Sequence, residues 1–310
     1  MDIRVGALLW PQTNSWPELR DAAVRADRAG LDSLWTWDHL NAIVGPWEQP
    51  ILEGWTTLAG LAPITTTATL GLMVGANTFR NPGLTAKLAT TLDHLSGGRA
   101  VLGIGGAWFE REHDAFGIEA WGSGFGERLD RLDEAVGLLR RLLDGERVTH
   151  DGRFYHFHDA LCEPRPVQEH LPILIGGSGP QKTLRTTARY ADAWNTGGTV
   201  EEIQRNAAIL RERCDEIGRD YDSIEKTMTD WICIRDDAGE ARRVLEGLAK
   251  ANGDTLGPDE HVLAGTPEQI ADELRPVLDV GISHVLADLM RPYDAETIDR
   301  LPALREALAG

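Results

Sequence analysis

Short apolar runs alternate with amphipathic stretches along almost the whole chain. Several of these runs are apolar at nearly every position instead of every second one, which is typical of strands buried on both faces. The runs cover residues 3–10, 33–37, 68–76, 99–105, 171–177, 191–196, 223–235 and 283–289. Helix signals separate nearly all of them, so the pattern predicts a parallel sheet with helices packed on it.

Capping residues mark where several of the intervening helices begin. The pairs that match the capping-box spacing are Ser15 with Glu18, Ser178 with Gln181, and Thr199 with Glu202. Leucine and valine recur at three- and four-residue spacing between 129 and 143, which predicts an amphipathic helix.

Eight strands within 310 residues favour an α/β protein with a closed (β/α)8 TIM barrel. An open doubly wound sheet is the alternative. A polar, aromatic-rich interruption around 145–170 predicts an insertion, and nothing resembling a linker divides the chain. We therefore expect a single barrel domain over residues 1–310.

Composition narrows the classes of partner. Lys and Arg number 31 against 49 Asp and Glu, a net charge of −18 with no basic block, which argues against nucleic-acid binding. No stretch approaches the ~20 apolar residues of a membrane helix. The cysteines, Cys162, Cys214 and Cys233, lack metal or redox spacing. We expect a cytoplasmic protein that acts on a small molecule, with neither a nucleic-acid nor a membrane partner.

Polar or glycine-rich residues follow five consecutive predicted strands, at the end where a TIM barrel carries its active site. Asp38 and His39 end the second strand. His39 is the best candidate for proton transfer, because an imidazole ionises near neutral pH. The alternative is a buried structural histidine hydrogen-bonded to Asp38.

Two glycine-rich segments and a histidine pair suggest further sites. The segment GIGGAW (103–108) fails the dinucleotide fingerprint because Trp108 stands where a small residue is needed, and its glycines better suit a flat ligand with Trp108 as a wall. The segment GGSGPQKT (176–183) suits a phosphate site, although a tight turn has the same composition. His156 and His158 share a strand face but are too few for a zinc site.

Together these segments resemble the bacterial luciferase-like family, the flavin- and deazaflavin-dependent (β/α)8 barrels, over nearly the whole chain. The parts that carry the resemblance are WDH (37–39), residues 78–117, residues 164–180 and ARYADAWN (188–195). The nearer likeness is to oxidoreductases that use coenzyme F420, a deazaflavin. Family members are usually dimers, so the resemblance also implies a homodimer.

The resemblance implies roles for particular residues. His39 would assist proton transfer, Trp47 would line the active site, and a non-proline cis peptide would fall between Met73 and Val74. The residues that would hold the cofactor are Asp38, Met73, Val74, Gly75, Gly105, Gly106, Ala107, Gly176, Gly177, Ser178 and Gly179.

One position departs from the F420-dependent sugar-phosphate dehydrogenases. Those enzymes carry a catalytic glutamate after the fourth strand, where this chain has Trp108. Glu110 and Glu112 follow nearby, and Glu112 matches a glutamate found more generally in the family. The resemblance therefore does not extend to sugar-phosphate oxidation.

Three functions are compatible with these residues. The first is F420-dependent hydride transfer on a small alcohol or carbonyl compound, or on an activated double bond. The second is a reduced-FMN-dependent monooxygenase on the same barrel. The third is a cofactor-binding barrel without catalysis.

Overall fold

The structure, a computed structural model, describes residues 2–257 and 260–310. Its strands, in chain order, are β1 (Arg4–Leu9), β2 (Ser33–Thr36), β3 (Thr69–Leu72), β4 (Gly75–Ala76), β5 (Ala100–Gly105), β6 (Val148–Asp151), β7 (His156–Ala160), β8 (Ile173–Gly176), β9 (Ala193–Thr196), β10 (Glu225–Ile234), β11 (Leu263–Gly265) and β12 (Ile282–Leu289). Its helices are α1 (Trp16–Ala29), α2 (Gly54–Leu61), α3 (Pro82–Ser96), α4 (Glu110–Phe116), α5 (Phe125–Leu143), α6 (Thr183–Tyr190), α7 (Val200–Glu216), α8 (Ala238–Ala251), α9 (Pro267–Leu278) and α10 (Ala295–Ala309).

Within the described ranges, eight parallel strands close into a barrel in the order β1, β2, β3, β5, β8, β9, β10 and β12. β12 pairs with β1 from Arg4 opposite His284 to Leu9 opposite Leu289, and the pairing of β9 with β10 completes the ring. The predicted (β/α)8 barrel is confirmed, and the open sheet is excluded because no gap separates these strands. The single-domain organisation predicted over 1–310 stays a prediction.

Each predicted strand is present, with some local differences. The run 68–76 is divided into β3 and β4 at Met73 and Val74, whose peptide bond is cis, as the resemblance implied. The capping boxes at Ser15 and Thr199 are confirmed. The one at Ser178 is wrong, because α6 begins only at Thr183 and the Ser178 hydroxyl lies 3.3 Å from Thr196 Oγ1 instead.

The predicted insertion contains the antiparallel hairpin of β6 and β7, which lies outside the barrel sheet. Glu134 of α5 accepts hydrogen bonds from the backbone N–H groups of Phe154 and Tyr155, which hold the hairpin against that helix. His156 is exposed and contacts Asp151 at 2.7 Å. Among the described residues, no group of three or more His, Cys, Asp or Glu side chains is placed to hold a metal ion.

An aromatic layer fills the upper part of the barrel interior. The ring centroids of Trp10 and Trp37 are 4.6 Å apart, and Trp10 Nε1 donates to Asp288 Oδ1 at 2.5 Å. Burial raises the pKa of the Asp288 carboxyl to about 7, so this group holds a proton through much of the acid range. Across the ranges that the structure describes, none of the helices has the length and apolar character to span a bilayer.

Candidate active site

A cavity of about 360 Å³ opens at the carboxyl ends of the barrel strands. Its wall brings together residues that follow β2, β3, β5 and β8, which are far apart in sequence. The predicted site residues that line it are Asp38, His39, Met73, Val74, Gly75, Gly105, Gly106, Ala107, Gly176 and Gly177. The parallel barrel explains this convergence, because all its strands end at the same rim.

Three predicted residues lie outside this lining. Trp47 is 41% exposed, and the Arg111 guanidinium carbon sits 3.5 Å from the centroid of its ring. Ser178 lines a neighbouring cavity of about 350 Å³. Gly179 approaches α6, where a Cβ on it would lie 2.8 Å from Thr183 Oγ1. The roles suggested for these three stay predictions.

His39 is paired with a carboxylate that sequence reasoning did not assign to it. Its Nδ1 lies 3.0 and 3.1 Å from the two carboxylate oxygens of Glu112. Glu112 is 1% exposed and also accepts the backbone N–H groups of Leu40 and Asn41. A carboxylate at Nδ1 places a proton there, so Nε2 is left to accept or donate one. The alternative in which Asp38 binds His39 is wrong.

Asp38 instead forms a bidentate ion pair with Arg80. The two guanidinium nitrogens contact the two Asp38 oxygens at 2.7 and 2.9 Å, and the Ala76 N–H donates at 2.8 Å. Burial lowers the pKa of Arg80, but the hydrogen bonds and charge of Asp38, with the charge of Glu53, raise it overall. A buried carboxylate at the end of β2 is therefore compensated, and its place is fixed.

Arg80 also joins Asp38 to the start of α2. One of its nitrogens lies 2.9 Å from Glu53 Oε1, while the same Glu53 carboxylate caps α2 by accepting the N–H groups of Trp55 and Thr56. The arginine thus connects both ends of the loop that follows β2. Sequence reasoning missed Arg80, although it lies in the matched segment 78–117.

The glycines form the cavity floor by allowing close packing around Val74. A Cβ on Gly105 would lie 2.8 Å from Val74 Cγ2, and one on Gly176 would lie 2.9 Å from Val74 Cγ1. Ala107 lines the cavity with a φ of 62°, a left-handed conformation that few residues with a side chain adopt. Strained backbone of this kind is common at binding sites.

The lining of the cavity is chemically compatible with a flat ring that carries a phosphate. Backbone and Val74 form its floor, and aromatic side chains stand beside His39, with the Trp108 ring centroid 5.7 Å from that of the imidazole. Next to the floor, the N–H groups of Ser178 and Gly179 meet no acceptor in residues 2–257 and 260–310. Free N–H groups in a small-residue loop are suited to an anion.

The sequence profile of luciferase-like monooxygenases matches residues 3–256. The chain is 30% identical to the F420-dependent glucose-6-phosphate dehydrogenase of Intrasporangium calvum, over 93% of this chain and 95% of that protein.

Solved structures show the same fold. An F420-dependent secondary alcohol dehydrogenase in complex with an F420-acetone adduct superposes with a TM-score of 0.85 at 20% identity, over 99% of each chain. The monooxygenase RslO1 from Streptomyces bottropensis superposes with a TM-score of 0.80 at 22% identity, also over 99% of each chain.

Proposed function

The chain belongs to the luciferase-like monooxygenase family and is an oxidoreductase of that family, and on this premise we propose that it uses coenzyme F420 for hydride transfer. The substrate is a small alcohol or carbonyl compound, or one with an activated double bond. The observation that carries this proposal is the pair of His39 and Glu112 on the wall of a glycine-floored cavity. The F420-dependent relative from Intrasporangium calvum, which matches this chain over nearly its full length, supports the choice of F420 as cofactor.

Coenzyme F420, when bound, supplies a ring carbon that accepts or donates a hydride. His39 acts on the substrate oxygen: its Nε2 takes the hydroxyl proton when an alcohol is oxidised and returns it when a carbonyl is reduced. Glu112 holds Nδ1 and stabilises the imidazolium formed when Nε2 gains a proton, since the buried carboxylate stands 3.0 Å away.

Other residues hold this arrangement in place. Asp38 is occupied by Arg80 and the Ala76 N–H, so it positions the end of β2 without exchanging protons. The cavity floor of Gly105, Val74 and Gly176 would support one face of the ring. Trp108 is 60% exposed at the rim, with its ring centroid 5.7 Å from that of His39.

We do not extend the sugar-phosphate substrate of the Intrasporangium relative to this chain. Trp108 occupies the position where the resemblance places the catalytic glutamate of those dehydrogenases. We further propose that the protein is cytoplasmic, because its three cysteines are buried and unpaired. We also propose that it is a homodimer, because members of the family are usually dimers.

A cofactor titration tests the proposal. Purified protein is titrated with F420, FMN and NADPH, and quenching of tryptophan fluorescence gives the dissociation constants. We expect F420 to bind most tightly, and tighter binding of FMN would contradict the proposal. Oxygen consumption in proportion to substrate would then select the reduced-FMN monooxygenase, while a His39→Ala variant that binds cofactor without change in any turnover would select a non-catalytic barrel.

A further inference from the structure

A second cavity adjoins the first across the loop that follows β8. It has a volume of about 350 Å³ and is lined by Ser178, Pro180, Gly197, Glu202, Arg205 and Asn206. The loop divides the two spaces, because Gly176 and Gly177 line the first cavity whereas Ser178 lines the second. A ligand whose ring fills the first cavity can therefore continue over the loop into the second.

Asn206 is a polar side chain that needs a partner. It is 6% exposed, yet its amide forms no hydrogen bond with any residue of 2–257 or 260–310. The amide atoms are not sealed from solvent, so they are accessible from the cavity. Because Asn206 lines the second cavity, a polar ligand there would supply the missing hydrogen bond.

Arg205 adds a positive charge to the same wall. Within the described part of the chain its guanidinium forms no ion pair, although acidic residues outnumber basic ones by 49 to 31. The nearby Glu202 uses its carboxylate to accept the Thr199 N–H at 3.0 Å as part of the cap of α7. Arg205 is thus available to an anion, and the positive end of α7 lies beside it.

We propose that Arg205 and Asn206 bind the glutamate carboxylates of coenzyme F420, which follow its phosphate and lactate, an inference that rests on the proposed function. In F420 the phosphate is a diester that continues into lactate and glutamate, whereas in FMN it is the terminal group. A space of about 350 Å³ equals roughly a dozen waters at ~30 Å³ each, more than one phosphate fills. Guanidinium and amide N–H groups are suitable donors for a carboxylate.

The test measures binding, using the fluorescence of the deazaflavin itself. Wild type, Arg205→Ala and Arg213→Ala are titrated with three forms of the chromophore: complete F420, F420 without glutamates, and the phosphate-free alcohol. Arg213 is a matched control on the same helix, paired with Glu216 at 2.6 Å. We expect Arg205→Ala to weaken the complete cofactor about tenfold and the other two forms less than threefold, with no effect of Arg213→Ala. Asn206→Ala should weaken the complete cofactor several-fold, and thermal melts establish that each variant folds.

Two results would overturn this inference but leave the proposed function standing. In one, Arg205→Ala weakens F420 without glutamates as much as complete F420, which would assign Arg205 to the phosphate and lactate and not to the glutamates. In the other, wild type and Arg205→Ala bind complete F420 equally well. Failure of all three chromophores to bind the wild type would remove the proposed function, and the inference with it.

Discussion

His39 Nδ1 lies 3.0 Å from Oε2 of Glu112, a residue 73 positions away in the chain. Asp38, the immediate neighbour of His39, turns instead to Arg80 at 2.7 Å. Two adjacent residues at the end of β2 therefore have separate tasks. His39 is oriented by Glu112, and Asp38 is held by Arg80 at the backbone from which His39 projects.

Replacing His39 by Ala should abolish most turnover and preserve cofactor binding. General acid–base groups contribute about 10²–10⁴-fold, so we expect kcat to fall by that factor. The measurement is steady-state kinetics beside an F420 titration. His156→Ala is the control, since His156 is exposed on the hairpin and should leave both quantities unchanged. A His39→Ala variant with wild-type kcat would contradict the assigned role.

Replacing Glu112 by Gln should lower kcat by about 10- to 100-fold, because a hydrogen bond to a charged group contributes about 1.5–3 kcal/mol. Glutamine keeps an acceptor for Nδ1 but removes the charge that stabilises the imidazolium. Steady-state kinetics and an F420 titration measure the change. A kcat equal to that of the wild type would show that Glu112 only packs against His39, whereas a purely structural defect would weaken cofactor binding together with kcat.

Replacing Asp38 by Ala should destabilise the fold by about 3 kcal/mol, because it leaves Arg80 mostly buried with one carboxylate partner fewer. Arg80 has 14% of its side chain exposed, and Glu53, which remains, has 37%. Urea unfolding measures the change. Asp21→Ala removes an exposed pair with Arg20 and should change stability by less than ~0.5 kcal/mol. Equal midpoints for the two variants would show that the Asp38 pair contributes little.

Gly105→Ala should destabilise the protein through Val74. The new Cβ would lie 2.8 Å from Val74 Cγ2, and overpacking of this kind costs about 1–3 kcal/mol. Val74→Ala removes the obstructing methyl groups, so the double variant should lose less stability than the sum of the singles, by about 1 kcal/mol. Gly247→Ala in α8 meets no atom within 4 Å and should instead stabilise by up to ~1 kcal/mol. If the stability losses of Gly105→Ala and Val74→Ala simply add in the double variant, the strain at Gly105 does not come from Val74.

Asp288→Asn should remove a pH dependence of folding. Burial raises the pKa of Asp288 from 3.8 to about 7, with Asp230 adding to the rise and the indoles of Trp10 and Trp231 opposing it. Between those values the folded state keeps a proton that the unfolded state has lost, so wild-type stability falls as pH rises from about 4 to 7. Urea unfolding of both proteins at several pH values measures the difference, which should total a few kcal/mol. A constant difference across this range would contradict the assignment.

The barrel could be predicted from sequence because each strand and several helix caps have local signals. The helix α8 and the strand β11 were missed, although α8 separates its apolar and polar faces at least as clearly as α5 does, so its signal was present in the sequence. The hydroxyl of Ser178 has the spacing of a cap, but closure of the barrel brings Thr196 within its reach.

The convergence of the candidate residues on one cavity was predictable from sequence, whereas their pairings were not. The rule that active sites lie at the carboxyl rim identified His39 and the glycine segments. Which acid meets His39, and which base meets Asp38, depends on how loops from different strands fold over the rim. Arg80 is 42 positions from Asp38, and no local pattern connects the two.

Arg80, held by Asp38 on one side and by Glu53 on the other, clamps the base of the loop that separates β2 from α2. Because both ends of this loop are fixed, its middle residues can be substituted, or a few inserted, without moving the ends of the barrel strands. The entropy cost of closing a loop grows only slowly with its length. Substitutions in the middle of this loop, Trp47 included, can therefore accumulate in evolution while His39 keeps its place.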